Sequence, residues 1–201
     1  MDFDFRALVV IMMSAVLVNN YVLRQFLGVC PFLGVSKDLK SSVGMGLAVM
    51  FVMLMAASVT WPIQILLLNP NGLEFMQTVV FILVIATLVQ LVEVVLKRYV
   101  PALFASLGVY LPLMTTNCAV LAVTISNINK GYTYIEALVS ALGAGFGFFL
   151  AMVIFTGVRA QVAAADPPDA FKGVPITLIS AAILSLAFFA FDGVIENLFG
   201  G

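Results

Sequence analysis

Six stretches of about 20 or more mostly apolar residues dominate this chain, at roughly 5 to 27, 43 to 63, 76 to 96, 103 to 126, 134 to 158 and 174 to 195, each long enough to cross a bilayer as a helix. Inside hydrocarbon a helix satisfies all of its own backbone N–H and C=O groups, so this pattern predicts an all-α integral membrane protein with six transmembrane helices. A water-soluble bundle would need charged outer faces. With 63% hydrophobic residues, 9% charged residues and a mean hydropathy of +1.18, the chain has too few charges to build them. The net charge of -1 also excludes a nucleic-acid-binding surface, which requires clustered Lys and Arg. The first stretch opens Met1-Asp2-Phe3-Asp4, with no basic leader and no small-residue cleavage site before Asn19, and is expected to remain as a helix.

The connections are short and polar: 36 to 42, LNPNGLE at 68 to 74, KRYVP at 97 to 101, 127 to 132 and 159 to 173. None could fold alone, so residues 1–201 form a single membrane domain that binds lipid on its outside. Placed on alternate sides of a bilayer, Arg24, Lys37, Lys40, Lys97, Arg98, Arg159 and Lys172 fall on one face, against Arg6 and Lys130 on the other. Basic loops stay in the cytoplasm, which puts both termini outside. Two halves of about 1–97 and 98–201 resemble each other, each with one cysteine and a glycine-rich helix (Gly44 and Gly46; Gly143, Gly145 and Gly147). Three helices per half is an odd number, so the second half enters from the opposite side as an inverted repeat.

The run from Phe5 to Val35 would measure roughly 46 Å as one straight helix, against a hydrocarbon core of about 30 Å. A broken or re-entrant cysteine-bearing segment is therefore expected, with Gly28, Pro31 and Gly34 around Cys30 as yielding points and Pro112 playing that part before Cys118. Irregular backbone at membrane depth must be buried in protein or line a cavity. With two cysteines and no histidine, metal or thiol chemistry rests on Cys30 and Cys118. Three readings are open: small core residues, a disulfide, or ligands of an iron-sulfur cluster. A cluster normally takes four thiolates, so that last reading also requires a second membrane subunit.

The run VNNYVLRQFLGVCPFLGVSK, Val18 to Lys37, is similar to the first cysteine motif of the Rnf family of electron-transport subunits, specifically its A subunit. LPLMTTNCAVLAV, Leu111 to Val123, resembles the second, and the likeness extends through LVQLVEVVLKR and DPPDAFKG to nearly the whole chain. The E subunit of the sodium-translocating NADH:quinone reductase is also similar, but Cys30-Pro31 and Thr115-Thr116-Asn117-Cys118 favour Rnf. The resemblance implies a [2Fe-2S] cluster held by Cys30 and Cys118 with two cysteines of a homologous E subunit of opposite topology. It also implies further Rnf subunits of the B, C, D and G types, in a prokaryotic cytoplasmic membrane, with electrons passing between ferredoxin and NAD coupled to Na⁺ or H⁺ movement.

Polar residues inside spans are costly and are functional candidates. Asn19, Asn20, Thr115, Thr116 and Asn117 lie on the cysteine-bearing stretches, suited to backbone support, hydrogen bonds to ligand sulfurs, or an ion path. Glu93 pairs by spacing with Lys97 or serves an ion path. Glu136, Asp192 and Glu196 fall near helix ends. The glycine trio lacks a preceding strand and the G-x-G-x-x-G spacing, which leaves close helix packing as its role. A rival function is a small secondary transporter with packing cysteines and Glu93 plus the asparagines as its site.

Overall fold

In the computed structural model, which describes residues 5–18, 20–36, 39–72, 74–99, 117–165, 168 and 171–189, every regular element is helical. The helices are α1 (Phe5–Met13), α2 (Val29–Val35), α3 (Leu39–Ile63), α4 (Gln77–Tyr99), α5 (Cys118–Asn129), α6 (Tyr134–Ala164) and α7 (Val174–Phe189). Wider π turns extend α1 over Ser14–Val18 and α3 over Gln64–Leu68. The second follows Pro62, which has no N–H to donate and crowds the preceding turn. That helix runs on through Asn71 and stops at Gly72, whose φ of 62° suits a residue without Cβ.

Three spans among the described residues are long and apolar enough to cross a membrane: Leu39–Leu68, Gln77–Val95 and Tyr134–Ala164. Six were expected. The first expected span is interrupted, because helix ends at Val18 and the chain is irregular from Asn20 to Gly28. The fourth is described only from Asn117 onward, as α5, and α5 and α7 are shorter apolar helices. The lysine-bearing connection is also tighter than expected, since α3 already begins at Leu39.

α6 lies at the centre and touches α1, its π turn, α3, α5 and α7. Its glycines make this possible, as close packing would lead one to expect. Gly143 and Gly147 sit on one side, where an added Cβ would come within 3.0 Å of Ala15 Cβ and 3.2 Å of Val16 O. Gly145 points the other way, 2.6 Å by the same measure from Met50 Cγ on α3, while Gly46 of α3 meets Phe149 of α6 at 2.7 Å. α3 and α6 thus cross antiparallel, each offering a glycine to the bulky residue one turn beyond the other's. Ser42 Oγ meets Thr156 Oγ1 at 2.8 Å near one end of the pair, and Trp61 Nε1 donates to Tyr132 O at 2.9 Å near the other.

Those ends mark the two membrane surfaces. Trp61 packs edge-on against Tyr134, and Lys130 lies over the Tyr132 ring, an interfacial group of amphipathic aromatics. Arg159 sits toward the opposite end, and the helix between Tyr134 and Arg159 rises about 37 Å, a hydrocarbon core plus part of the headgroup layer. Gly147 is close to its midpoint. The outward faces remain apolar, with Leu66, Leu83, Val94 and Leu186 all strongly exposed, as expected of a surface facing lipid or other membrane subunits.

A branched side chain at Gly145 would force α3 and α6 apart. Gly145→Val is expected to cost about 2 kcal/mol or more and lower the thermal midpoint of the purified protein. Gly157→Ala, at a site with no neighbour within 4 Å of the new Cβ, should leave it unchanged or slightly raised.

Candidate functional site

A chain that leaves its helix inside the membrane frees backbone groups, and Asn20 collects them. Its Oδ1 accepts from the N–H groups of Val22 and Leu23 at 3.1 and 3.4 Å, while its Nδ2 donates at 2.9 Å to the carbonyl of Gly147, at the middle of α6. A side chain at residue 147 would crowd that amide, since a Cβ there would lie 3.3 Å from it. The loop is closed further by Arg24 N–H to Asn20 O and Leu27 N–H to Tyr21 O, both 2.9 Å, and by the Ser185 hydroxyl of α7 donating to Leu23 O. Phe26 within it has a φ of 54°, a conformation that costs an L-residue roughly 1–2 kcal/mol.

The irregular segment ends at Gly28, where φ of 80° turns the backbone into α2. Of the three expected yielding points around Cys30, only this one breaks the helix. Pro31 falls in the first turn, where no N–H is needed, and α2 continues through Gly34. The far end of α2 is held by Arg159 of α6, whose Nη1 donates at 2.8 Å to both Leu33 O and Ser36 Oγ. A guanidinium there also suits the partial negative charge of a helix C-terminus. α2 therefore starts near mid-depth and runs toward the Arg159 face.

Cys118 is the first residue of α5, and Asn117 caps it by accepting Ala119 N–H on Oδ1 at 3.0 Å. The two helix starts meet: a Cβ on Gly28 would lie 2.8 Å from Asn117 Oδ1, 3.1 Å from Phe148 and 3.3 Å from Ala119. Cys30 is two residues past this contact on one strand of chain, and Cys118 one residue past it on the other. Both thiols are exposed on the surface of the chain and neither is in a disulfide. Two soft sulfur donors are of the type that suits iron in a sulfur environment, and a four-thiolate set would need two more from outside the chain. Among the described residues no group of three His, Cys, Asp or Glu converges.

Of the expected polar residues, Asn20 and Asn117 are both buried at this site. Asn19, Thr115, Thr116 and Pro112 lie outside the described residues, as do Asp192 and Glu196. Glu93 is half-buried and extends the inward row Phe81, Ile85, Val89 of α4, one turn before Lys97. Glu136 closes a capping box at the start of α6, accepting from Thr133 N–H and Oγ1 at 2.8 Å each. Arg159 and Ser185 gave no signal as site residues in the sequence. Arg24, counted with the basic loops, is exposed in the irregular loop, next to Leu23, whose carbonyl accepts from Ser185 of α7.

Together these features define a helical, multi-pass membrane protein that displays two cysteines at the level of its central helix midpoint. The family model described as Rnf-Nqr subunit, membrane protein, matches residues 8–195, so the chain belongs to the Rnf-Nqr family. It is 51% identical over 190 residues to the A subunit of the ion-translocating oxidoreductase complex of Syntrophotalea carbinolica, covering 94% of this chain and 98% of that one. It is 50% identical over 186 residues to the A subunit of the Na⁺-translocating ferredoxin:NAD⁺ oxidoreductase complex of Acetobacterium woodii, with 92% and 97% covered. The corresponding A subunit of Vibrio parahaemolyticus is 46% identical over 188 residues, with 94% and 98% covered. These relatives agree with the A-type likeness of the two cysteine motifs.

Arg159→Gln removes the cap of α2 and should leave it free to fray, costing about 1–3 kcal/mol locally. Amide hydrogen exchange across residues 29–35 is expected to rise about tenfold or more, with the centre of α6 unchanged.

Proposed function

We propose that this chain is the A-type membrane component of an ion-translocating ferredoxin:NAD oxidoreductase complex, passing electrons through a [2Fe-2S] cluster inside the bilayer. The observation that carries this reading is the meeting of the Gly28 and Asn117 helix starts at mid-depth, with an exposed cysteine beside each. Cys30 and Cys118 supply two thiolates, and two cysteines of a homologous E subunit of opposite topology supply the others. When bound, such a cluster provides a one-electron relay, and the hydride chemistry belongs to other subunits. This chain's own part is to fix two sulfurs at a depth that neither face of the membrane can reach directly. Asn20 anchors the loop, Gly28 starts α2, Arg159 holds its far end and Asn117 caps α5.

In this reading the chain has six crossings as two inverted halves of one membrane domain. It resides in a prokaryotic cytoplasmic membrane with both termini outside and works alongside B-, C-, D- and G-type subunits. The reciprocal contact of Gly46 and Met50 with Phe149 and Gly145 supports the repeat, because each half gives a glycine and, one turn on, a bulky residue to the same crossing. The interfacial aromatics at 61, 132 and 134 opposite Arg159 support the orientation, together with the bias of basic residues toward the Arg159 side.

The complex purified with all its membrane partners should contain iron and acid-labile sulfide attributable to this pair of homologous chains, with a paramagnetic signal on reduction. Cys30→Ser and Cys118→Ser are each expected to remove that signal and abolish ferredoxin-dependent NAD reduction while the complex still assembles. An intact, active complex without iron here would overturn the relay.

A further inference from the structure

We propose that the Asn117 side chain donates an amide N–H to a cysteine sulfur of this site and thereby raises the reduction potential of the centre that Cys30 and Cys118 hold, an inference that rests on the relay reading above. The orientation of the amide is fixed. Its Oδ1 accepts from Ala119 N–H, which only an oxygen can do, so Nδ2 occupies the opposite end. That nitrogen is shut off from solvent and has no hydrogen-bond partner, although the residue as a whole is only 5% exposed. It is one of four such buried side-chain atoms among the described residues, and the one that adjoins a cysteine.

The surroundings narrow the acceptor. The nitrogen is closed to bulk water, and the cysteines are the nearest chemistry-bearing groups along the chain on both sides of the contact. Cys118 is the next residue, and Cys30 is two residues beyond Gly28, which presses on the same amide. A thiol sulfur is a weak acceptor, whereas a metal-bound thiolate carries charge and draws an N–H strongly. No sulfur stands in hydrogen-bond geometry with the nitrogen in the chain alone, so the bond forms when the bound centre draws a ligand sulfur onto it. Reduction adds negative charge to the sulfurs, so a hydrogen bond to one of them stabilises the reduced form more than the oxidised form.

The test uses the whole complex. Asn117→Ser keeps a good helix N-cap and removes the amide donor; Asn117→Asp keeps the shape and the cap, removes the donor and adds negative charge. Iron per complex and a paramagnetic redox titration are the readouts. With iron at the wild-type level, Asn117→Ser should lower the reduced-to-oxidised ratio at fixed poise about tenfold, or about 59 mV for a one-electron couple. Asn117→Asp should lower it further, and decides on the same criterion should the serine variant not retain iron. A ratio within about twofold of wild type in an iron-replete variant overturns the role of Asn117 and leaves the relay standing. Absence of iron from the wild-type complex overturns the relay itself, and this inference with it.

Discussion

A backbone that leaves its helix within hydrocarbon must find partners for each N–H and C=O it frees, and here one side chain both meets part of that demand and ties the loop to α6. Asn20 bonds two loop amides with its oxygen and the middle of α6 with its nitrogen. The placement of Cys30 follows. Without an anchor at that level the apolar run from Phe5 to Val35 would continue as a tilted helix, and its cysteine would sit one helix surface away from the second half of the chain. The anchor works because residue 147 is glycine, so the amide can reach a carbonyl that a side chain would screen. The polar residue and the small residue are thus two parts of one device, contributed by different halves of the sequence.

The same glycine helix explains why so short a chain can hold a fixed irregular segment. Small residues on opposite sides of α6 allow α3 to approach from one direction and α1 with its π turn from the other. In lipid there is little hydrophobic gain from pressing helices together, so dispersion at close range and the few interhelical hydrogen bonds supply the association. The bonds that cross between helices sit at the edges and at the middle: Trp61 to Tyr132 at one surface, Ser42 with Thr156 and Arg159 with α2 toward the other, Asn20 to Gly147 between them. Each level of the bundle is pinned, including the level of the cysteines.

Much of this was legible in the sequence, because the solvent imposes it. Apolar length gave α3, α4 and α6 to within about six residues at each end, and the excess length of the first stretch pointed to a bend or break near Cys30. Glycine spacing without a strand pointed to packing. What could not be read was where the break begins. Pro31 and Gly34 looked like the yielding points by residue type, yet proline is harmless in a first turn, and the interruption lies upstream, in a segment whose irregularity depends on Asn20 reaching α6. Arg159 and Ser185 were unreadable for a similar reason: each acts on a backbone carbonyl more than a hundred positions away, and no local pattern marks such a partner.

Asn117 shows how far one position can combine these demands. As an N-cap it satisfies Ala119 N–H and fixes the first turn of α5, which determines where Cys118 points from the helix axis. As the residue against Gly28 it sets how closely the two helix starts approach, since any side chain at 28 would meet its oxygen. Capping alone would be served as well by serine or aspartate, and close approach would favour something smaller. Only an amide offers an acceptor to the helix and a donor to something else from one planar group. In the proposed relay that second group is a ligand sulfur, so the residue that caps α5 also tunes the centre that α5 helps to hold.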